Sequence, residues 1–130
     1  MKNKRKLKIV KYNKRMINRL NITKANFQEY KILKEFNNKY ETNIKDIEIK
    51  ELNIYRKNIG NNGLKDLFTI NFKGLSHVNL NSNEISDINI LEKVNFKILK
   101  KLGLSNNNIS DIKVLEKVKF EKLELLGLGK

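Results

Sequence analysis

Cysteine, proline and tryptophan are all missing from this chain of 130 residues. Without cysteine there is no disulfide frame, no thiol nucleophile and no thiolate zinc site. Without proline, no segment is stopped by a residue that lacks its backbone N–H. Histidine occurs once, as His77, with no metal-ligand spacing around it. No apolar run approaches the roughly 20 residues of a membrane span. A basic N-terminus is present, but no apolar h-region follows it, so no secretory signal is expected and the default compartment is the cytoplasm. The glycine-containing stretch Gly60-Asn-Asn-Gly63 lacks the spacing and the lysine of a phosphate loop. Asp87 and Asp111 sit where helix caps belong, not as a carboxylate pair. Catalysis needs a nucleophile, a base and a stabiliser in mutual reach, and no such set is visible. The chain is therefore not expected to be an enzyme, and no cofactor or metal is implied.

What is abundant is lysine, asparagine and isoleucine. The formal net charge is +14, and it is unevenly placed. Residues 1–19 hold Lys2, Lys4, Arg5, Lys6, Lys8, Lys11, Lys14, Arg15 and Arg19 with no acidic residue. The rest of the chain is only mildly basic. Ile9, Tyr12, Met16 and Leu20 follow helical spacing in the same segment, with Lys4, Lys8, Lys11, Lys14, Arg15 and Arg19 opposite. Residues 1–20 thus form one expected unit, a basic amphipathic helix. Two readings are open for it. Its apolar face packs on the rest of the protein and its lysines are solvated, or the six cations bind an anionic membrane or nucleic acid. No aromatic platform accompanies it, which weakens the nucleic-acid reading.

The second half of the chain repeats itself. A shift of 24 residues places Phe72 on Phe96 and Phe120, Leu75 on Leu99 and Leu123, and Leu80 on Leu104 and Leu128. Asn83 falls on Asn107, Ile85 on Ile109 and Leu91 on Leu115. Residues 72–95 and 96–119 match at 13 of 24 positions, too many for coincidence of composition, and the shared apolar offsets mark a stacked array. Within a unit, Leu102 and Leu104 alternate as a strand with one buried face. Ser110-Asp111 offers an N-cap. Ile112, Leu115 and Val118 then recur at intervals of three, which suits a short helical or 3₁₀ segment. One unit is strand, turn, short helix and return, and neighbours must stack to bury its apolar side.

The spacing Leu99-x-x-Leu102-x-Leu104-x-x-Asn107-x-Ile109 resembles the leucine-rich repeat family. The tails Ile85-Ser-Asp-Ile88 and Ile109-Ser-Asp-Ile112 are similar to its short-repeat subclass, found in internalins and phosphatase regulators. The resemblance implies an α/β fold: a right-handed solenoid with a short parallel sheet on its concave face. It also implies that Asn83 and Asn107 turn inward to satisfy loop backbone, a structural role and not a catalytic one. Its functional implication is a protein-interaction scaffold.

Residues 21–43 are expected to form a helical N-terminal cap. Asn21 or Thr23 starts a helix whose stripe is Tyr30, Leu33, Phe36 and Tyr40, with fraying at Asn37-Asn38. The array spans 44–130. Setting Ile49 on Leu75 puts Leu52 on Val78 and Ile54 on Leu80, so 49–71 reads as a degenerate first repeat with a longer turn near Gly60–Gly63 and Lys57 where Asn is expected. Repeats 72–95 and 96–119 follow, then a partial unit, 120–130. Nothing at 120–130 looks like a cap, which leaves a bare strand edge. A longer array, cover by a partner, or self-association with a second copy would each resolve it, and the first is preferred.

Partner-binding positions are those beside the leucines on the concave face. They are Glu51, Asn53 and Tyr55, then His77, Asn79 and Asn81, then Lys101, Gly103 and Ser105, and finally Leu125. Gly103, with Gly127, leaves room for close backbone approach. Four strands about 4.8 Å apart showing roughly three residues each make a face of about 150 Å². A standard interface takes about 800 Å² per partner, so such a face must be extended or bind weakly.

Overall fold

The computed structural model describes residues 24–129. The basic segment 1–20, with its six candidate anion-binding cations, and the cap positions Asn21 and Thr23 lie outside the described residues. The first described element is helix α1, Lys24–Tyr40. Its spacing of three, three and four sets Tyr30, Leu33, Phe36 and Tyr40 along one side. Leu33 and Phe36 are buried there and both tyrosines are half-buried. The helix does not fray at Asn37. The Asn37 carboxamide clamps the turn that follows: its oxygen accepts from Thr42 Oγ1 and the Ile44 N–H, and its nitrogen donates to the Ile44 carbonyl. A polar residue that reads as a helix-breaker is here the fastening of the helix end.

The stretch expected to be a longer turn is a second helix, α2, Gly60–Leu67. Strand pairing shows why. The first unit is offset from the second by 26 residues, whereas later units are offset by 24. The added residues let the connection close α turns, while the later connections hold only the 3₁₀ segments Asn89–Lys93 and Lys113–Glu116. Leu64 and Leu67 then point inward and are fully buried. A Cβ at Gly63 would stand 3.1 Å from the Tyr40 ring, so a side-chain-free residue lets α1 and α2 approach. The Asp66 carboxylate accepts hydrogen bonds from Tyr40 O–H at 2.5 Å and Lys39 Nζ at 3.0 Å, which ties the two helices together at their edge.

Four three-residue strands follow the same spacing. They are β1 Glu51–Asn53, β2 His77–Asn79, β3 Lys101–Gly103 and β4 Leu125–Gly127, in the order β1-β2-β3-β4, all parallel. The register runs Leu52↔Val78↔Leu102↔Leu126 along the centre. Each strand must cross over to reach the next in parallel, and the helix or 3₁₀ segment supplies that crossover. Among the described residues the fold is thus mixed α/β, with a four-stranded parallel sheet and two α-helices. Leu52, Val78 and Leu102 face the core with Ile54, Leu80 and Leu104 just beyond the strand ends.

Asn83 and Asn107 work as the repeat implies. Asn83 is fully buried; its nitrogen donates to the carbonyls of Ile54, Leu80 and Asn81, and its oxygen accepts from Lys57 and Ile59 N–H. Asn107 repeats this on Leu80, Leu104 and Ser105, with Asn83 and Ile85 as donors to its oxygen. Asp87 and Asp111 accept the N–H groups of Asn89 and Lys113, the first residues of the 3₁₀ segments.

Three aligned columns diverge in the structure. Phe72 aligns with Phe96 in sequence, yet the ring against Phe96 is Phe68, edge-on at 5.6 Å, with Phe120 stacked on the other side at 5.7 Å. The α2 geometry sets Phe68 there. At the far edge, burial fails unit by unit: Leu80 and Leu104 are sealed, but Leu128 is 37 % exposed. Ile88 is 1 % exposed and its counterpart Ile112 is 50 % exposed. Identical residues differ because only the inner ones have a neighbour on both sides.

Candidate functional site: the open face of the sheet

Alternation along each strand sends Glu51, His77, Lys101 and Leu125 to the face opposite the core, side by side in register. The next row is Asn53, Asn79, Gly103 and Gly127, likewise in register. Tyr55, Asn81 and Ser105 continue each strand beyond its last paired residue. Arg56 Cζ lies 5.3 Å from the Tyr55 ring centroid, a cation–π pair at the rim. The ten positions expected to bind a partner therefore do form one surface. Glu51, Asn53, Tyr55, Lys101 and Leu125 are exposed, and His77, Asn79, Asn81, Gly103 and Ser105 are half-buried. His77 Nδ1 stands 2.8 Å from Ser76 Oγ, so this imidazole is engaged with its own neighbour.

The expectation for Gly103 needs correction. Space above it is not open to a partner, because a Cβ there would stand 2.8 Å from Asn81 Oδ1. The Asn81 carboxamide lies across the glycine and accepts the Ser105 N–H at 2.7 Å. Gly127 is similarly approached by Ser105 Oγ, at 3.0 Å from where a Cβ would be. The missing side chains make room for internal cross-links between strands. Asn53 and Asn79 are also committed on one side: their Oδ1 atoms accept the N–H groups of Tyr55 and Asn81.

Sequence reading missed several polar fastenings. Asn61 of α2 bridges to the next unit, accepting from Ser86 and Asp87 N–H and donating to Ser86 Oγ. Arg56, Ser82 and Asn106 share a positive φ of 54°, 59° and 55° in the turn after successive strands. No glycine marks that column, so its left-handed turn left no sign in the sequence.

Among the described residues, no group of three or more His, Cys, Asp or Glu side chains is placed to hold a metal ion. A groove of about 560 Å³ lies away from the open face, between the returns of successive units. Phe68, Phe72, Phe96 and Ile98 line it with Lys73, Lys93 and Lys97, and it presents no histidine or carboxylate for proton transfer. No helix among the described residues is long and apolar enough to cross a membrane. No family model, no curated protein and no solved structure matches this chain.

Proposed function

We propose that this chain is a leucine-rich-repeat-type solenoid that serves as a non-enzymatic protein-interaction module, binding a protein partner through the concave side of its sheet. One observation carries the reading: Glu51, His77, Lys101 and Leu125 stand in register on four parallel strands, on the face away from the core. A rigid sheet that displays a column of unlike side chains is a recognition surface whose specificity changes one residue at a time without disturbing the fold. Helix α1, with Leu33 and Phe36 buried, acts as the N-terminal cap that a stacked array needs. The exposed Leu125 and Leu128 suit an array continued by further units in a longer parent, which would also enlarge the small binding face.

Capture of a protein partner tests the reading. Tyr55→Ala and Lys101→Ala remove side chains that bear no core contact, so the circular dichroism spectrum stays unchanged while partner capture weakens severalfold. Capture unaffected by both would move the interaction elsewhere. The charge in residues 1–19 supports a second reading, attraction of an anionic membrane or nucleic acid to Lys4, Lys8, Lys11, Lys14, Arg15 and Arg19. Binding to acidic vesicles or nucleic acid that falls steeply with salt and vanishes on deletion of 1–19 would establish it.

A further inference from the structure

We infer that the partner presents an acidic peptide segment to this face, its carboxylates set against a row of amide N–H groups from Asn53, Asn79 and Asn81. This rests on the reading of the face as an interaction surface. The three carboxamide oxygens are all committed within the sheet. Each accepts a backbone N–H of its own sheet: Tyr55 for Asn53, Asn81 for Asn79 and Ser105 for Asn81. A backbone N–H can bond only to the oxygen of a carboxamide, so each amide nitrogen is turned away from that bond. Those nitrogens have no partner among the described residues.

The row is continuous across three strands. Asn53 pairs in register with Asn79, and Asn79 with Gly103. Because the Asn81 carboxamide lies over Gly103, it occupies the place a third side chain would take. Amide donors thus follow one another at the strand spacing, about 4.8 Å. A line of unpaired donors favours a partner bearing acceptors over one bearing donors, since donor set against donor would leave both sides unpaired. An ionised carboxylate is acceptor-only and takes several such bonds, each charge-assisted.

The adjacent row sets polarity. It runs from Glu51 on β1 through His77 to Lys101 on β3, from negative to positive. Acidic groups of the peptide are therefore held most strongly toward β3 and more weakly at β1, where Glu51 opposes the Asn53 donor. Leu125, 58 % exposed at the end of that row, offers an apolar contact beyond the cation.

Selection of short random peptides on the full chain tests the inference. Asn53→Asp with Asn79→Asp keeps both acceptor oxygens, hence the internal bonds, but replaces the outward donors with acceptors. Asn38→Asp with Asn62→Asp adds the same charge at exposed positions of α1 and α2. The wild type should select sequences rich in Asp and Glu. Those peptides should bind the first double variant at least about tenfold more weakly and the second as the wild type. Glu51→Gln should tighten them. Equal loss in both double variants would reduce the preference to net charge and overturn the donor row. Peptides without acidic bias that still lose binding in Tyr55→Ala or Lys101→Ala would overturn the acidic preference and leave the face standing. Peptides insensitive to every substitution on the face would overturn both.

Discussion

Two asparagines do the same job at different depths, and the difference is measurable. Asn83 is fully buried and its amide serves three carbonyls and two N–H groups. Asn83→Ala strands those backbone groups where no water reaches, and each stranded group costs roughly 1–3 kcal/mol. We expect a loss of at least about 3 kcal/mol in urea unfolding. Asn107 is only half-buried, so solvent repays part of the deficit, and Asn107→Ala should cost on the order of 1–2 kcal/mol. The isoleucine pair makes the same point for apolar burial. Ile88→Ala should lose about 2–5 kcal/mol, as core truncations do. Ile112→Ala, at the equivalent place but half exposed, should stay within about 0.5 kcal/mol. Equal losses for the two isoleucines would show that the outer unit is covered in solution.

At the scale of elements, Tyr40 of α1 and Asp66 of α2 perturb each other's titration where the two helices meet. The hydrogen bond from Tyr40 O–H, joined by Lys39, holds the Asp66 carboxyl below its ordinary value of 3.8, against a smaller opposing effect of partial burial. Burial, followed by the Asp66 carboxylate, raises the Tyr40 hydroxyl above its ordinary value of 10.0. The signs follow from linkage. A depressed carboxyl contributes stability that is present above pH 3.8 and lost as pH falls through the lower folded-state value. A raised phenol contributes stability that is present below pH 10.0 and lost as pH rises through the higher one. Melting temperatures followed into acid should therefore drop more steeply below about pH 3.8 for the wild type than for Asp66→Asn. Parallel curves would mean that this carboxylate does not hold the helices. Helix α2 itself shows how two added residues change an element: the sequence displayed the insertion, but its conformation depended on Leu64 and Leu67 finding the core.

For the whole molecule, stability should decline from the inner strands β2 and β3 to the outer strand β4. β2 and β3 have a strand on both sides, whereas β4 has one. In hydrogen exchange, the amides of Val78 and Leu102 should be slowest, while those of β4 exchange fastest, because an edge strand opens without breaking the core. Uniform protection through β4 would indicate that something covers the edge. The short strands and the small face argue at this scale too. Three-residue strands give little area, so affinity must come from a longer sheet or from a few well-placed polar contacts.

Periodicity alone determined most of the architecture. A period of 24 with fixed apolar offsets requires like segments to lie side by side, since no single unit can shelter its own leucines. It therefore specified the strands, their register, the inward Asn83 and Asn107, and the ten positions of the open face. Tertiary structure decided what periodicity cannot encode, because each outcome depends on residues far apart in the chain. Asn37 became a clamp only through Thr42 and Ile44, and Phe68 displaced Phe72 from its column once α2 had formed. Gly103 was filled only when Asn81 reached Ser105 on the next strand. Repetition carries apolar burial because every unit meets the same surroundings; polar partners are particular, and three-dimensional packing alone supplies them.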